Sequence, residues 1–113
     1  MDARGRAGEA IAAGFLELAG YSILARNARI ADVEVDLVAR RDSLLVLVEV
    51  KTRGTDRQRA SAALGPLQRR RLRRAAQALL SRAPWAESLR IDAVGIDWRD
   101  GEMRLQHWRG VGD

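Results

Sequence analysis

The chain has 113 residues, room for one hydrophobic core but not two, so a single domain over 1–113 is expected. Without cysteine it has no disulfide, zinc–thiolate site or thiol nucleophile, and with one histidine any metal site must be built mainly from oxygen donors, which favours Mg2+ or Mn2+. A net charge of +5 suits a polyanionic partner, and no run approaches the ~20 apolar residues of a membrane span, so a cytoplasmic protein is expected.

From about Arg4 to Ala19, Ala7, Ile11, Phe15 and Leu18 recur at helical spacing, predicting an amphipathic helix stopped by Gly20. Glu9 lies off that stripe, near enough to Ala13 and Leu16 to reach the edge of the buried face. It is either a favourable acid in the first helical turn or part of a site. Gly5 and Gly8 allow close approach of the helix start to another element. Tyr21 to Asn27 reads as a short strand, with Arg26, Asn27, Ala28 and Arg29 leading into a hairpin.

That hairpin is the centre of the sequence. Residues 33 to 39 alternate, with Val33, Val35 and Leu37 on one face and Glu34 and Asp36 on the other. Leu44 to Val50 is almost wholly apolar, as in a strand covered on both sides, and it ends in Glu49 and Lys51. Arg40, Arg41, Asp42 and Ser43 supply the turn. A two-residue loop pairs Asp36 with Glu49; a four-residue loop makes them diagonal neighbours. Either register keeps Glu34, Asp36, Glu49 and Lys51 on one face. Two carboxylates about 4 to 5 Å apart repel by roughly 4 kcal/mol at an effective dielectric near 20, so such a pair implies a cation or a proton between them. The same charges also suit a solvated face with a cross-strand ion pair. Of the 20 basic residues, 19 are arginine and Lys51 alone is lysine, a compact ammonium with chemistry that a guanidinium lacks.

Thr52 to Gly65, with Arg53, Arg57 and Arg59, reads as a basic loop. Pro66 opens a second helix to about Ala83, its apolar stripe formed by Leu72, Ala75, Ala76, Leu79 and Leu80. Arg69, Arg70, Arg71, Arg73 and Arg74 crowd its first half, and no acid lies between Gly65 and Arg82 to neutralise them, which makes a nucleic-acid partner the expectation. Leu89 to Asp97 forms a strand that a crossover can return parallel to the central one. Asp92 is read there as a structural partner of Arg90. Trp98, Arg99, Asp100 and Gly101 form a turn, and Glu102 to Trp108 a final edge strand; His107 is read as non-catalytic, and Trp85, Trp98 and Trp108 as packing residues.

The order α-β-β-β-α-β with Glu9, Asp36 and Glu49-Val50-Lys51 resembles the restriction-endonuclease-like superfamily, and within it the small bacterial YraN-type family, which is similar to archaeal Holliday-junction resolvases. The resemblance runs through Gly8-Glu9, Ile23 to Asn27, Glu34 to Ala39, Val48 to Arg53, Arg71 to Ala76 and Arg90 to Asp92; it departs at Val33, where the family usually has glycine, and at Gln68, where lysine is usual. It implies a three-layer α/β fold with a mixed central sheet and a final edge strand. It also implies Asp36 and Glu49 as ligands of Mg2+ or Mn2+, Lys51 positioning water and phosphate, and Glu9 as a further acid. The expected function is a metal-dependent endonuclease or nuclease-like protein on structured DNA, with Arg53, Arg57, Arg69, Arg70, Arg73 and Arg74 on the backbone. A domain this small would need to be a homodimer to embrace a four-way junction. The alternative is a non-catalytic adaptor that binds nucleic acid or protein through the basic helix.

Overall fold

The computed structural model describes residues 3–53 and 64–112. Among these, helix α1 (Ala3–Leu18) is followed by strands β1 (Ser22–Ile30), β2 (Val33–Arg41) and β3 (Leu44–Arg53), helix α2 (Pro66–Leu80), and strands β4 (Ser88–Arg99) and β5 (Glu102–Trp108). The strands form one sheet in the order β1-β2-β3-β4-β5. The β3–β4 pair is parallel and the other three are antiparallel, which gives the mixed sheet and final edge strand expected of the sequence. Helix α1 covers one face and α2 the other.

Strand β3 sets this arrangement. Leu45 and Leu47 are buried beside Leu72, Ala75 and Ala76 of α2, while Val46 and Val48 are buried beside Ala12, Ala13 and Leu16 of α1. Burying each such leucine or valine stabilises by about 1.5 to 3 kcal/mol, so a one-residue slip that exchanged the faces is strongly opposed. The β2–β3 turn has the shorter of the two loops considered, because Arg41 pairs with Leu44 and Asp42 adopts a left-handed φ of 53°.

Three expectations are corrected. In α1, Leu18 is 93% exposed and Ala7 and Phe15 are exposed as well, whereas Gly8, Glu9, Ala12, Ala13 and Leu16 are buried. The helix turns its small residues to the sheet because they let the backbone lie close, and a Cβ at Gly8 would collide with the Thr52 methyl. Strand β1 continues past Asn27 to Ile30, since the turn is made by Ala31 and Asp32, at φ 51° and 62°. Finally, β2 does not keep one alternation: Val33 and Val35 pack on the α2 side with Val38, but Leu37 and Ala39 pack on the α1 side. The parity changes at Asp36; Asn27 of β1, between the Arg26↔Leu37 and Ala28↔Val35 pairs, has a φ of 50°, while the register shift of this pair of strands lies between Ile23 and Ala25. A shorter adjustment is that α2 ends at Leu80 rather than near Ala83.

In β4, where Asp92 pairs with Val48 of β3, a buried polar network ties the strand to its neighbours. Asp92 is fully buried and accepts from Arg90 Nε at 2.7 Å, Arg90 Nη2 at 2.8 Å, His107 Nε2 at 2.8 Å and the Gly110 amide at 3.0 Å. Arg90 Nη2 also donates to the Tyr21 hydroxyl at 2.7 Å. Asp92 is thus the partner of Arg90 that the sequence suggested, with His107 in the same network.

Two predictions follow from this packing. Gly8→Ala gains about 1 kcal/mol of helix propensity but meets a stiff β-branched neighbour, and overpacking costs about 1 to 3 kcal/mol, so a lower midpoint in urea is expected. Gly14→Ala, with nothing within 4 Å of the added Cβ, should raise that midpoint. For Asp92, burial alone would raise the pKa, but hydrogen bonds from His107, Arg90 and Gly110 outweigh it and hold the carboxyl below its ordinary value of 3.8. Its contribution is complete above the unfolded-state value and disappears as pH falls through the lower folded-state value. Asp92→Asn should therefore cost about 3 to 5 kcal/mol at pH 7 and remove part of the loss of stability below pH 4, both read from urea unfolding at several pH values.

Candidate functional site: a carboxylate centre at the open end of the central hairpin

The β2–β3 ladder runs from Arg41↔Leu44 to Leu37↔Val48 and stops one pair short of Asp36 and Glu49. There the parity change in β2 redirects Asp36, and its Oδ2 accepts the Val50 amide at 2.8 Å in place of a backbone carbonyl. Glu49 is carried inward by the buried run before it. Its side chain is 12% exposed, and its Oε2 is buried without a hydrogen-bond partner among the described residues. Lys51 Nζ lies 3.6 Å from Glu49 Oε1, outside hydrogen-bond distance but within ion-pair range. From α1, the close Gly8 contact brings the following residue, Glu9, to the same place, where it is 5% exposed and interacts with Asn27 and Asp36. Glu34 stands exposed at the rim.

The electrostatics are those of crowded acids. Burial raises the Glu49 carboxyl from 4.5 to about 7, with the Asp36 charge adding to the shift and Lys51 and Gln68 opposing it. Burial also raises Asp36, against the Val50 amide and Lys51, and Glu34 raises it further. Glu9 is raised by burial and by its proximity to Asp36 and Glu34, with the Asn27 amide opposing. Three carboxyl groups that all resist ionisation, with one ammonium among them, favour a proton or an added cation. Among the described residues, no group of three Asp, Glu, His or Cys side chains is arranged to hold a metal ion by itself.

Glu9, Asp36, Glu49 and Lys51 are thus brought together. The predicted arginines are divided. Arg69, Arg70 and Arg73 line a cleft of about 260 Å3 with Pro66 and Gly112 on one flank of α2, whereas Arg74 lies on the other flank with Arg71, Gln68, Arg29, Asp32, Val33 and Glu34 around a cleft of about 390 Å3. Arg53 ends β3, and Arg57 lies outside the described residues. Sequence reasoning gave no site role to Asn27 or Arg29: both read as turn residues because the left-handed Ala31 has no sequence signature. Asp97 was also missed. It is 3% exposed, neither carboxylate oxygen has a hydrogen bond to a described residue, and Arg99 Nε stands 3.5 Å away.

The Glu49 shift has a testable sign. A carboxyl whose folded-state pKa is raised binds its proton more tightly when folded, so stability falls as pH rises from about 4.5 to about 7. Over that window the loss is on the order of 3 kcal/mol. In EDTA, Glu49→Gln should flatten this dependence and unfold at higher urea than the unsubstituted protein at pH 8, with little difference at pH 5.

The model of the Uncharacterised protein family UPF0102 matches residues 8–96, a span that contains Glu9, Asp36, Glu49 and Lys51. A UPF0102 protein of Paramagnetospirillum magneticum is 46% identical, the match covering 94% of this chain and 87% of that one. One from Beutenbergia cavernae is 43% identical over 98% of this chain and 97% of its own, and one from Anaeromyxobacter dehalogenans is 40% identical over 98% and 84%. Since the family match takes in most of the first helix, the hairpin and most of the parallel strand, and the relatives extend it over nearly the whole chain, this protein belongs to the UPF0102 family, the YraN-type family whose motifs it carries.

Proposed function

We propose that this protein is a metal-dependent endonuclease that hydrolyses phosphodiester bonds in structured DNA. The observation that carries the reading is the Glu49 carboxylate, held in the protein with Oε2 unpartnered and with Asp36 close enough to raise its pKa. An unsatisfied buried carboxylate oxygen is costly, and a hard cation is a ligand that answers it without disturbing the packing. Asp36 and Glu49 are the residues that would hold Mg2+ or Mn2+, with the rest of the shell from backbone carbonyl and water. When bound, such an ion supplies Lewis acidity toward water and neutralises charge that develops on the phosphoryl oxygens.

The remaining roles belong to the chain itself. The Val50 amide fixes the Asp36 rotamer by donating to Oδ2. Lys51 has three rotatable donors and a loose 3.6 Å approach to Glu49, so it can turn an N–H toward a phosphate oxygen or a water. Burial and the Asp36 charge raise the Glu9 carboxyl above its ordinary value, so it takes up a proton more readily than an exposed acid would. Basic clefts on both flanks of α2 suit a DNA backbone. A branched substrate larger than this domain calls for a two-fold dimer.

Metal and cutting are tested separately. Mg2+ or Mn2+ at ~100 times its dissociation constant stabilises by about 2.7 kcal/mol, so the thermal midpoint of the unsubstituted protein should rise by several degrees over that in EDTA, and that of Asp36→Asn should not. With fluorescently labelled four-way junctions and duplexes, cleavage should require the metal and fall at least ~100-fold in Glu49→Ala, the scale expected for loss of a transition-state electrostatic contact. Binding of the same DNA that is indifferent to EDTA and to Glu49→Ala, without cleavage under either metal, would establish the adaptor role instead.

A further inference from the structure

We infer that the cleft between the β1–β2 turn and α2, through Arg29, Arg71 and Arg74, seats the phosphate backbone of the strand leading into the carboxylate centre. This rests on the nuclease reading above and adds which of the many arginines guide the substrate. The cleft and the centre share a wall. Glu34 lines the cleft and stands two residues from Asp36 on β2, while Gln68 lines the cleft and reaches Glu49 from α2. Among the described residues, no such shared residue joins the centre to the cleft of Arg69, Arg70 and Arg73.

Each wall is built for a backbone ligand. Arg71 and Arg74 are three residues apart on α2, hence neighbours about 5 to 6 Å apart at Cβ on one flank. Arg29 faces them from β1, opposite Glu34 in the ladder. Arg74 Nη2 donates to the Ala31 carbonyl at 3.3 Å, which ties the helix to the left-handed turn and orients this guanidinium across the cleft. Among the described residues Val33 is the one apolar residue in the lining, so the cleft offers little to anchor an apolar peptide side chain, whereas guanidinium forks match phosphate oxygens. Asp32 and Glu34 offset part of the positive charge. The field therefore runs from cationic at the helix flank to anionic at the centre, so a strand gripped by the arginines meets the acids only where an added cation would bridge them.

The test is salt-dependent binding of a fluorescein-labelled four-way junction in EDTA, followed by anisotropy from 50 to 300 mM salt, for the full chain. Each phosphate contact contributes about 0.9 to the slope of log K against log salt, so R29Q/R71Q should lower the slope by about 1 to 2 units. The charge-matched control R82Q/R104Q, at two exposed positions away from the cleft, should change it by less than about half a unit. R71Q alone, on the exposed flank of α2, should lower it by about one unit and serves if the double variant fails to fold, as judged by thermal unfolding. Equal losses in R29Q/R71Q and the control, or no loss with R71Q in a protein that binds and cuts, would overturn the cleft assignment and leave the nuclease reading standing. An unsubstituted protein that binds no junction would overturn both.

Discussion

At the open end of the central hairpin the β2–β3 ladder has run out of paired backbone, and the Val50 amide turns to the Asp36 carboxylate. A buried amide has to be satisfied, so this bond fixes the position of Asp36 as firmly as a ladder bond fixes a strand. It is also what makes the parity change in β2 tolerable, because Asp36 is the residue at which Val33 and Val35 on one side give way to Leu37 and Ala39 on the other. Everything at the site refers to that point. Glu49 lies beside it, Lys51 balances part of its charge, and Glu9 reaches it from a helix that can approach only because Gly8 has no side chain.

The neighbouring strands β3 and β4 make opposite use of buried carboxylates. Asp92 accepts four hydrogen bonds, two of them from one guanidinium, and its pKa is held down; removing it would leave Arg90 and His107 without their acceptor. Glu49 is nearly as enclosed, but one oxygen is unpartnered and its pKa is pushed up to about 7. Satisfied buried charge stiffens a fold, whereas unsatisfied buried charge stores binding free energy for whatever completes it. The same contrast separates the Arg90–Asp92 bond at 2.7 Å from the Lys51–Glu49 approach at 3.6 Å, which leaves the ammonium free to reorient.

Much of the architecture was legible without coordinates. The run Leu44 to Val50 declared a strand covered on both faces, which required a helix on each side; the Pro66 start and the Leu72, Ala75, Ala76 stripe declared one of them, and a helix between two strands allowed the parallel return of β4. Less legible was the buried face of α1, because apolar periodicity reports where bulky residues recur, and this helix buries Gly8, Ala12 and Ala13 beside a single large residue, Leu16. The extent of β1 was hidden for a related reason: Ala31 carries no turn signature, although it sits at a positive φ.

By itself, then, the sequence determined the strand order around the hairpin, the charge it carries, the oxygen-donor character of any metal site and the solitary lysine at the end of β3, since each depends on residue type and short-range spacing. Tertiary structure decided which of those charges meet. The Asp36 contact to Val50, the entry of Glu9 from α1, the unpartnered oxygen of Glu49 and the sorting of arginines onto two flanks of α2 all arise between elements far apart in the chain. Burial and pKa belong to that assembled surrounding, which no local spacing encodes.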